Sequence, residues 1–292
     1  MSKKLNIQIT LGLLCLYLIW GSTYLAIRFG VVSIPPFQGT IPPFIMAAFR
    51  FMIGGAMFYA WAKFKGAPNP QLRHWLSAVI VGALLVVGGN ALVNWSEKTL
   101  DSGIAALLVA MMPFILVLFD WMRPKGTRPS WIVMAGLVLG FAGVVMLVNP
   151  TQVDGVQSID KFGAFLVLMA TITWSIGSLY SRSAKQPENH VLFAGMQMMS
   201  GGAVALLIAT LMGEFGNFSF SSLAPLQLWS WVYLTLFGGF AFGVYLWLLK
   251  VTTPAKVSTY AYVNPVIAMF LGALVAGEKI SSWTLVCSTL II

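Results

Sequence analysis

The sequence predicts an all-α polytopic membrane protein: ten transmembrane helices, arranged as two inverted five-helix repeats around a central cavity. Three observations predict it: too little charge for a water-facing surface, apolar runs of membrane-spanning length, and residues that recur in order between the two halves. Only 9% of the 292 residues are charged and 59% are hydrophobic, with a mean hydropathy of +0.86. A soluble domain carries about 25% charged and about 45–50% apolar residues. The shortage excludes a soluble enzyme, and it excludes a nucleic-acid partner despite a formal net charge of +9. The cysteine count, 2, with both in apolar runs, excludes a disulfide scaffold. The solvent such a chain requires is lipid.

A span takes roughly 20 mainly apolar residues. Between polar and Pro/Gly-rich breaks, the runs predict helices over 9–29, 43–62, 75–96, 101–121, 131–149, 162–181, 190–211, 227–249 and 254–276. A tenth run opens at Ser281 and reaches Ile292, so the last helix is expected to be truncated. Helices are required because lipid offers no partner to an open backbone. The alternating short strands of a β-barrel are not seen. The first run follows Lys3 and Lys4, which imitates a signal peptide. Its apolar stretch is too long for one, and Tyr24, Ile27 and Arg28 provide no small-residue cleavage site. It reads as an uncleaved first span.

Lys and Arg orient the spans. With the N-terminus cytoplasmic, Lys63, Lys65, Arg73, Arg123, Lys125, Arg128, Arg182, Lys185, Lys250 and Lys256 all fall on the cytoplasmic side. The opposite side receives Lys98, Lys161 and Lys279. The positive charge is therefore a topology signal and an attraction to anionic headgroups.

The halves match at an offset of about 150 residues. Trp20 and Arg28 precede Trp174 and Arg182, and Trp95, Lys98 and Pro113 precede Trp247, Lys250 and Pro265. Ser130-Trp131 precedes Ser282-Trp283, and Arg50 with Gly54-Gly55 precedes Gln197 with Gly201-Gly202. The predicted repeats cover 1–150 and 161–292. Five helices is an odd number, so the second repeat enters the membrane from the opposite face, as in secondary transporters that alternate access.

Several stretches carry a family resemblance: Ile19-Trp20-Gly21-Ser22-Thr23-Tyr24, Phe49-Arg50-Phe51, Gly89-Asn90, Ser102-Gly103-Ile104-Ala105-Ala106-Leu107, Tyr260-Ala261-Tyr262-Val263-Asn264-Pro265 and Gly277-Glu278. Taken in order over nearly the whole chain, they resemble the EamA family of the drug/metabolite transporter superfamily, and within it the YedA-type permeases. The resemblance implies a bacterial inner-membrane exporter whose cavity is lined by helices 1–4 and 6–9. Family members handle amino acids, metabolites or toxic compounds, so it fixes no substrate. In one departure, the first half has Lys125-Gly126-Thr127 where the second has Gly277-Glu278-Lys279.

Polar residues inside spans are costly and face the protein interior. Trp20, Tyr24 and Arg28 form one helical stripe, and Trp174, Ser178 and Arg182 repeat it. Asn90, Asn94 and Glu97 share a side of the third helix; Tyr260 and Asn264 share one on the ninth. With Arg50 and Gln197, the aromatic, amide and hydroxyl groups of these stripes suit a small amphipathic solute. Ordinary packing is the competing reading for Trp20 and Trp174, and hydrogen bonding between helices for the asparagines. Arg28 and Arg182 are expected to snorkel. Arg50 needs a partner, and Glu97 is nearest in expected depth, so the pair is a candidate gate or coupling element. Pro113 and Pro265 are expected to loosen their helices. His74 and His190 lie near span ends, and no H-E-x-x-H or P-loop occurs, so no metal, cofactor or catalytic site is expected. The expected partners are a small-molecule substrate and the bilayer, in a monomer or weak homodimer. The leading function is export of small metabolites. A lipid or polyprenyl-linked sugar translocator is the alternative, with an intramembrane enzyme further behind.

Overall fold

The computed structural model describes residues 3–122, 128–148 and 159–292. Arg123, the Lys125-Gly126-Thr127 segment and Asn149 lie outside them. The described residues form helices and no strand. In chain order the main ones are α1 (Leu5–Val31), α2 (Pro43–Phe64), α3 (Leu72–Ser96), α4 (Ser102–Met122), α5 (Trp131–Val148), α6 (Lys161–Ser183), α7 (His190–Leu211), α8 (Pro225–Val251), α9 (Tyr260–Ala276) and α10 (Ser282–Ile291). The first 8 are long and apolar enough to cross a membrane, while α9 and α10 are shorter apolar helices. Large apolar side chains stand outward around them, such as Leu18 (64% exposed), Leu207 (58%) and Phe270 (64%). A water-soluble monomer avoids contiguous exposure of this kind. The chain is a polytopic membrane protein.

The helix ends follow local chemistry. Pro43 and Pro225 open α2 and α8, where a missing N–H costs nothing. Asp160, Asn189 and Ser281 cap α6, α7 and α10 by accepting N–H groups of the first turn. Gly66, Gly213 and Gly277 lie just beyond α2, α7 and α9 with φ of 83°, 71° and 67°, a conformation glycine adopts without strain.

Two helices differ from their sequence pattern. The run expected over 254–276 is split into a turn at Pro254–Val257 and α9 from Tyr260. Thr259 Oγ1 donates to the Lys256 carbonyl, so the side chain competes with continued helix there. Inside α4, the helix breaks between Val109 and Met112, one turn before Pro113. The matched Pro265 sits inside α9 without a break.

Close packing explains the paired glycines. A Cβ on Gly55 would lie 2.7 Å from Met199 N and 2.8 Å from Gly195 O, and one on Gly195 2.6 Å from Tyr59 N. A Cβ on Gly202 would come within 2.9 Å of Ala48 O. The backbones of α2 and α7 therefore touch, which only glycine permits.

The helix bundle has two chemically different ends. Glu97, Asp101, Asp160, Glu214 and Glu278 gather at one, called the acidic end below; Lys63, Arg73, Arg182, Lys185 and Lys250 lie at the other, the basic end. Three bonds tie the acidic end across the chain. Gly39 N donates to Ser222 O, and Gln227 Nε2 donates to both Val32 O (2.8 Å) and Gly39 O (2.9 Å).

Candidate substrate site

Three helices contain π-helical segments: Leu16–Trp20 in α1, Ala83–Ala91 in α3 and Leu234–Gly238 in α8. A π turn widens the helix and re-aims the side chains at its end, and such turns concentrate at functional sites. Trp20 closes the first segment, and Gly89 and Asn90 stand near the end of the second.

These residues meet around a cavity of about 70 Å³. Its wall includes Trp20, Tyr24, Arg50, Asn90, Trp174 and Tyr260, with Thr23, Ile27, Gly89, Val93, Met112 and Thr171 between them. Trp20 is the hub of an aromatic cluster. Its ring centroid lies 5.6 Å from Trp174, 5.2 Å from Tyr245 and 4.8 Å from Tyr260. The Trp174 and Tyr260 contacts are edge-to-face, the arrangement favoured by aromatic quadrupoles. Tyr245 locks the cluster: its hydroxyl accepts Trp174 Nε1–H at 2.9 Å and meets Ser178 Oγ at 2.5 Å. A Cβ on Gly89 would collide with the Trp174 ring, so that ring needs glycine opposite it.

Arg50 supplies charge. It is 2% exposed, and its Nε and Nη1 have no hydrogen-bond partner. Its guanidinium lies over the Phe51 ring at 4.7 Å and against Gly238, where a Cβ would be 2.8 Å from Nη2. The expected Arg50–Glu97 ion pair is not made: neither Glu97 oxygen has a hydrogen-bond partner either. Arg28, expected to snorkel, reaches the acidic end and is held there by protein groups. It donates from Nη1 to the Glu97 backbone carbonyl and lies 3.6 Å from Asp101 Oδ1.

The other candidates lie outside the cavity wall. Asn94 Nδ2 donates to Pro43 O at 3.2 Å and ties α3 to the start of α2. Asn264, with its amide nitrogen toward α1, donates to Tyr17 O (3.3 Å) and Tyr260 O (3.1 Å). Gln197 is buried without a partner for its Oε1, and Ser178 serves Tyr245. Even Asn90, in the wall, spends its Nδ2 on Leu85 O (3.0 Å) within the π segment.

Three carboxylates at the acidic end are perturbed. Asp160 is held below the usual carboxylate range by the Thr99 hydroxyl (2.6 Å) and the Gly163 N–H (2.9 Å). Burial pushes Glu214 up, while the N–H groups of Ile45 and Phe44, which it accepts, pull it down. Burial and the nearby Glu278 carboxylate push Glu97, in the loop after α3, well above the usual range. Tyr245, Glu214 and Glu278 were not picked out as contributors by sequence reasoning. For Tyr245 a signal existed, a hydroxyl inside an apolar run.

The sequence profile of the EamA-like transporter family matches residues 8–149 and again 161–292. The chain belongs to the EamA-like transporter family. Among its relatives is the uncharacterized inner membrane transporter YedA of Escherichia coli (strain K12). It is 35% identical over 273 residues, which cover 92% of this chain and 83% of that protein. The uncharacterized transporter YoaV of Bacillus subtilis (strain 168) is 24% identical, covering 94% of this chain and 91% of its own. A solved crystal structure shares the fold of this EamA-like chain with a TM-score of 0.67 at 22% identity, over 97% of this chain and 92% of the other.

Proposed function

We propose that this EamA-like protein is a secondary carrier that exports small carboxylate-bearing amphipathic metabolites, amino acids among them, by alternating access. In this reading ten helices form two inverted five-helix repeats, 1–150 and 161–292, in a bacterial inner membrane with the N-terminus cytoplasmic. The carrying observation is Arg50, a buried guanidinium with unused donors in the wall of an aromatic cavity. A buried cation without an acceptor is costly, and a substrate carboxylate would relieve that cost through charge-assisted hydrogen bonds. The rings of Trp20, Trp174 and Tyr260 would cover the apolar part of the solute, and their π faces suit an ammonium group. At about 70 Å³ the cavity is closed down; loading requires it to widen. That size also favours a small solute over a lipid or polyprenyl-linked sugar.

Counterflow in proteoliposomes tests the reading. A panel of amino acids and their amides is loaded, and labelled acid is followed. The acid should exchange and compete while its amide does not, and Arg50→Ala should raise the half-saturating concentration about 10- to 100-fold, the worth of a hydrogen bond to a charged group. Equal competition by acid and amide, or full activity in Arg50→Ala, would remove the proposal.

A further inference from the structure

At the acidic end, Glu97 is the first residue after α3 and 0% exposed, and neither carboxylate oxygen has a hydrogen-bond partner. The cation beside it is engaged elsewhere. Arg28 of α1 uses Nη1 on the backbone carbonyl of the same residue and holds Asp101 with Nη2 at 3.6 Å. On another side, Glu278 from the α9–α10 connection accepts Ser102 N and Oγ, both at 2.9 Å, and Gly103 N at 3.3 Å. It thereby clips that connection onto the first turn of α4. The other charged or titratable groups facing Glu97 are Tyr24 of α1 and Arg50 of α2. From the start of α6, Asp160 reaches Thr99, two residues along, and is engaged there by the Thr99 hydroxyl.

An ionised carboxylate in this position would be buried with no donor, beside a second carboxylate, while a guanidinium within reach bonds to something else. Charged groups do not persist under those conditions; they neutralise or recruit a partner. The arrangement around Arg28 and Glu278 is the one expected around a neutral carboxyl.

We propose that Glu97 is a proton-carrying gate residue: neutral while the acidic end is closed, it releases its proton to water as that end opens. Arg28 and Glu278, the charged groups on either side of it, belong to different elements, so separating α1 from the α9–α10 connection would open its surroundings to water. Once ionised, Glu97 competes with Asp101 for Arg28 and repels Glu278, which weakens the clip on α4. Protonation and closure then favour each other. Each opening of this end releases one proton to the solvent there and each closing takes one up, with no net transfer from this end alone. This rests on the carrier reading above for its purpose, but its test needs no substrate, so the two fail separately.

The sign follows from linkage. The closed state holds the proton to a higher pH than the open state, so rising pH favours opening, by about tenfold per pH unit between the two pKa values. In the full chain with Cys15→Ser and Cys287→Ser, Val93→Cys places a reporter on the cavity wall. Its labelling by a charged maleimide is measured in liposomes at a series of pH values. The rate, taken as a ratio to the same reporter in Glu97→Gln at each pH, should climb by up to about tenfold per unit above the ordinary carboxylate range near 4.3. Glu97→Asp and Glu278→Gln should keep the climb. Infrared spectra of the unmodified chain at neutral pH should contain a protonated-carboxyl carbonyl band that Glu97→Gln lacks. A flat ratio overturns the gate. Absence of that band from the unmodified chain, or its survival in Glu97→Gln, overturns the neutral carboxyl, including where a variant folds poorly.

Discussion

Tyr245→Phe removes one oxygen from the aromatic cluster and leaves every ring in place. In the structure that oxygen accepts the Trp174 indole N–H at 2.9 Å and meets Ser178 Oγ at 2.5 Å. Ser178 retains a second partner, the Trp174 carbonyl at 2.6 Å, so the serine loses little. The indole N–H loses its 2.9 Å acceptor and keeps only the weaker approach of the neighbouring Tyr260 hydroxyl. An orphaned buried donor costs about 1–3 kcal/mol, against about 0.5–1.5 for the net worth of an ordinary hydrogen bond. With Tyr260 beside the indole, Tyr245→Phe should destabilise the protein by about 0.5–1.5 kcal/mol in denaturant titrations in mixed micelles. Trp174→Phe removes the donor, so adding Tyr245→Phe to it should cost under about 0.5 kcal/mol; that non-additivity separates the bond from general packing. If the cluster holds the cavity shut, the same loss should raise the labelling rate of a cavity-wall cysteine by roughly 5- to 150-fold. Equal costs of Tyr245→Phe in both backgrounds would refute the reasoning.

Three other perturbations probe the frame. Gly55→Val places side-chain atoms where α7 backbone lies 2.7–2.8 Å away, so it should abolish folding or cost more than the ~1–3 kcal/mol of ordinary overpacking; monodispersity and melting temperature report it. Gln227→Leu strips the donors from Val32 O and Gly39 O and should destabilise by about 1–3 kcal/mol per carbonyl that water does not reach, read from chemical denaturation. Asp160→Ala removes the α6 cap, worth about 1 kcal/mol at neutral pH. Because the folded pKa of Asp160 is depressed, its contribution is present above the unfolded value and lost as pH falls through the folded one, so the two chains' stabilities should converge in acid.

What was legible in the sequence was what depends on composition and period. Span positions follow from apolar length, and the Gly54-Gly55 and Gly201-Gly202 pairs from the need for close backbones. Trp20 and Trp174 stood out because large aromatics sat mid-span at matched positions, and they meet edge-to-face across the cavity. Polarity inside a span says that a side chain faces protein; it does not say what receives it. Asn94 and Asn264 satisfy backbone carbonyls of neighbouring helices, whereas Arg50 leaves Nε and Nη1 without an acceptor. The π segments were invisible because no residue type encodes them, yet they set where Trp20 and Asn90 point. Glu278 reaching Ser102 and Glu214 reaching Ile45 join segments far apart in the chain, which spacing alone does not reveal.

Matched positions also show how duplicated segments come to hold one site. Trp20 and Trp174 are the same residue type and both reach the cavity, but their neighbours in the series have diverged. Where the first half has Tyr24 in the wall, the second has Ser178, which turns to Tyr245. Where the second half has Tyr245, the first has Val93, an apolar stretch of wall. Arg50 has Gln197 as its counterpart, buried outside the cavity wall, so the two halves supply one guanidinium and not two. Divergence leaves one cation in a wall of aromatic faces, the polarity on which the proposed binding of an amphipathic solute rests. The acidic end follows the same logic: the second half sends Glu214 and Glu278 onto the starts of α2 and α4, clipping the first half where Glu97 is buried. The frame owes its shape to repetition, but the proposed hold on a charged solute and the proposed proton gate both rest on positions where the repeats disagree.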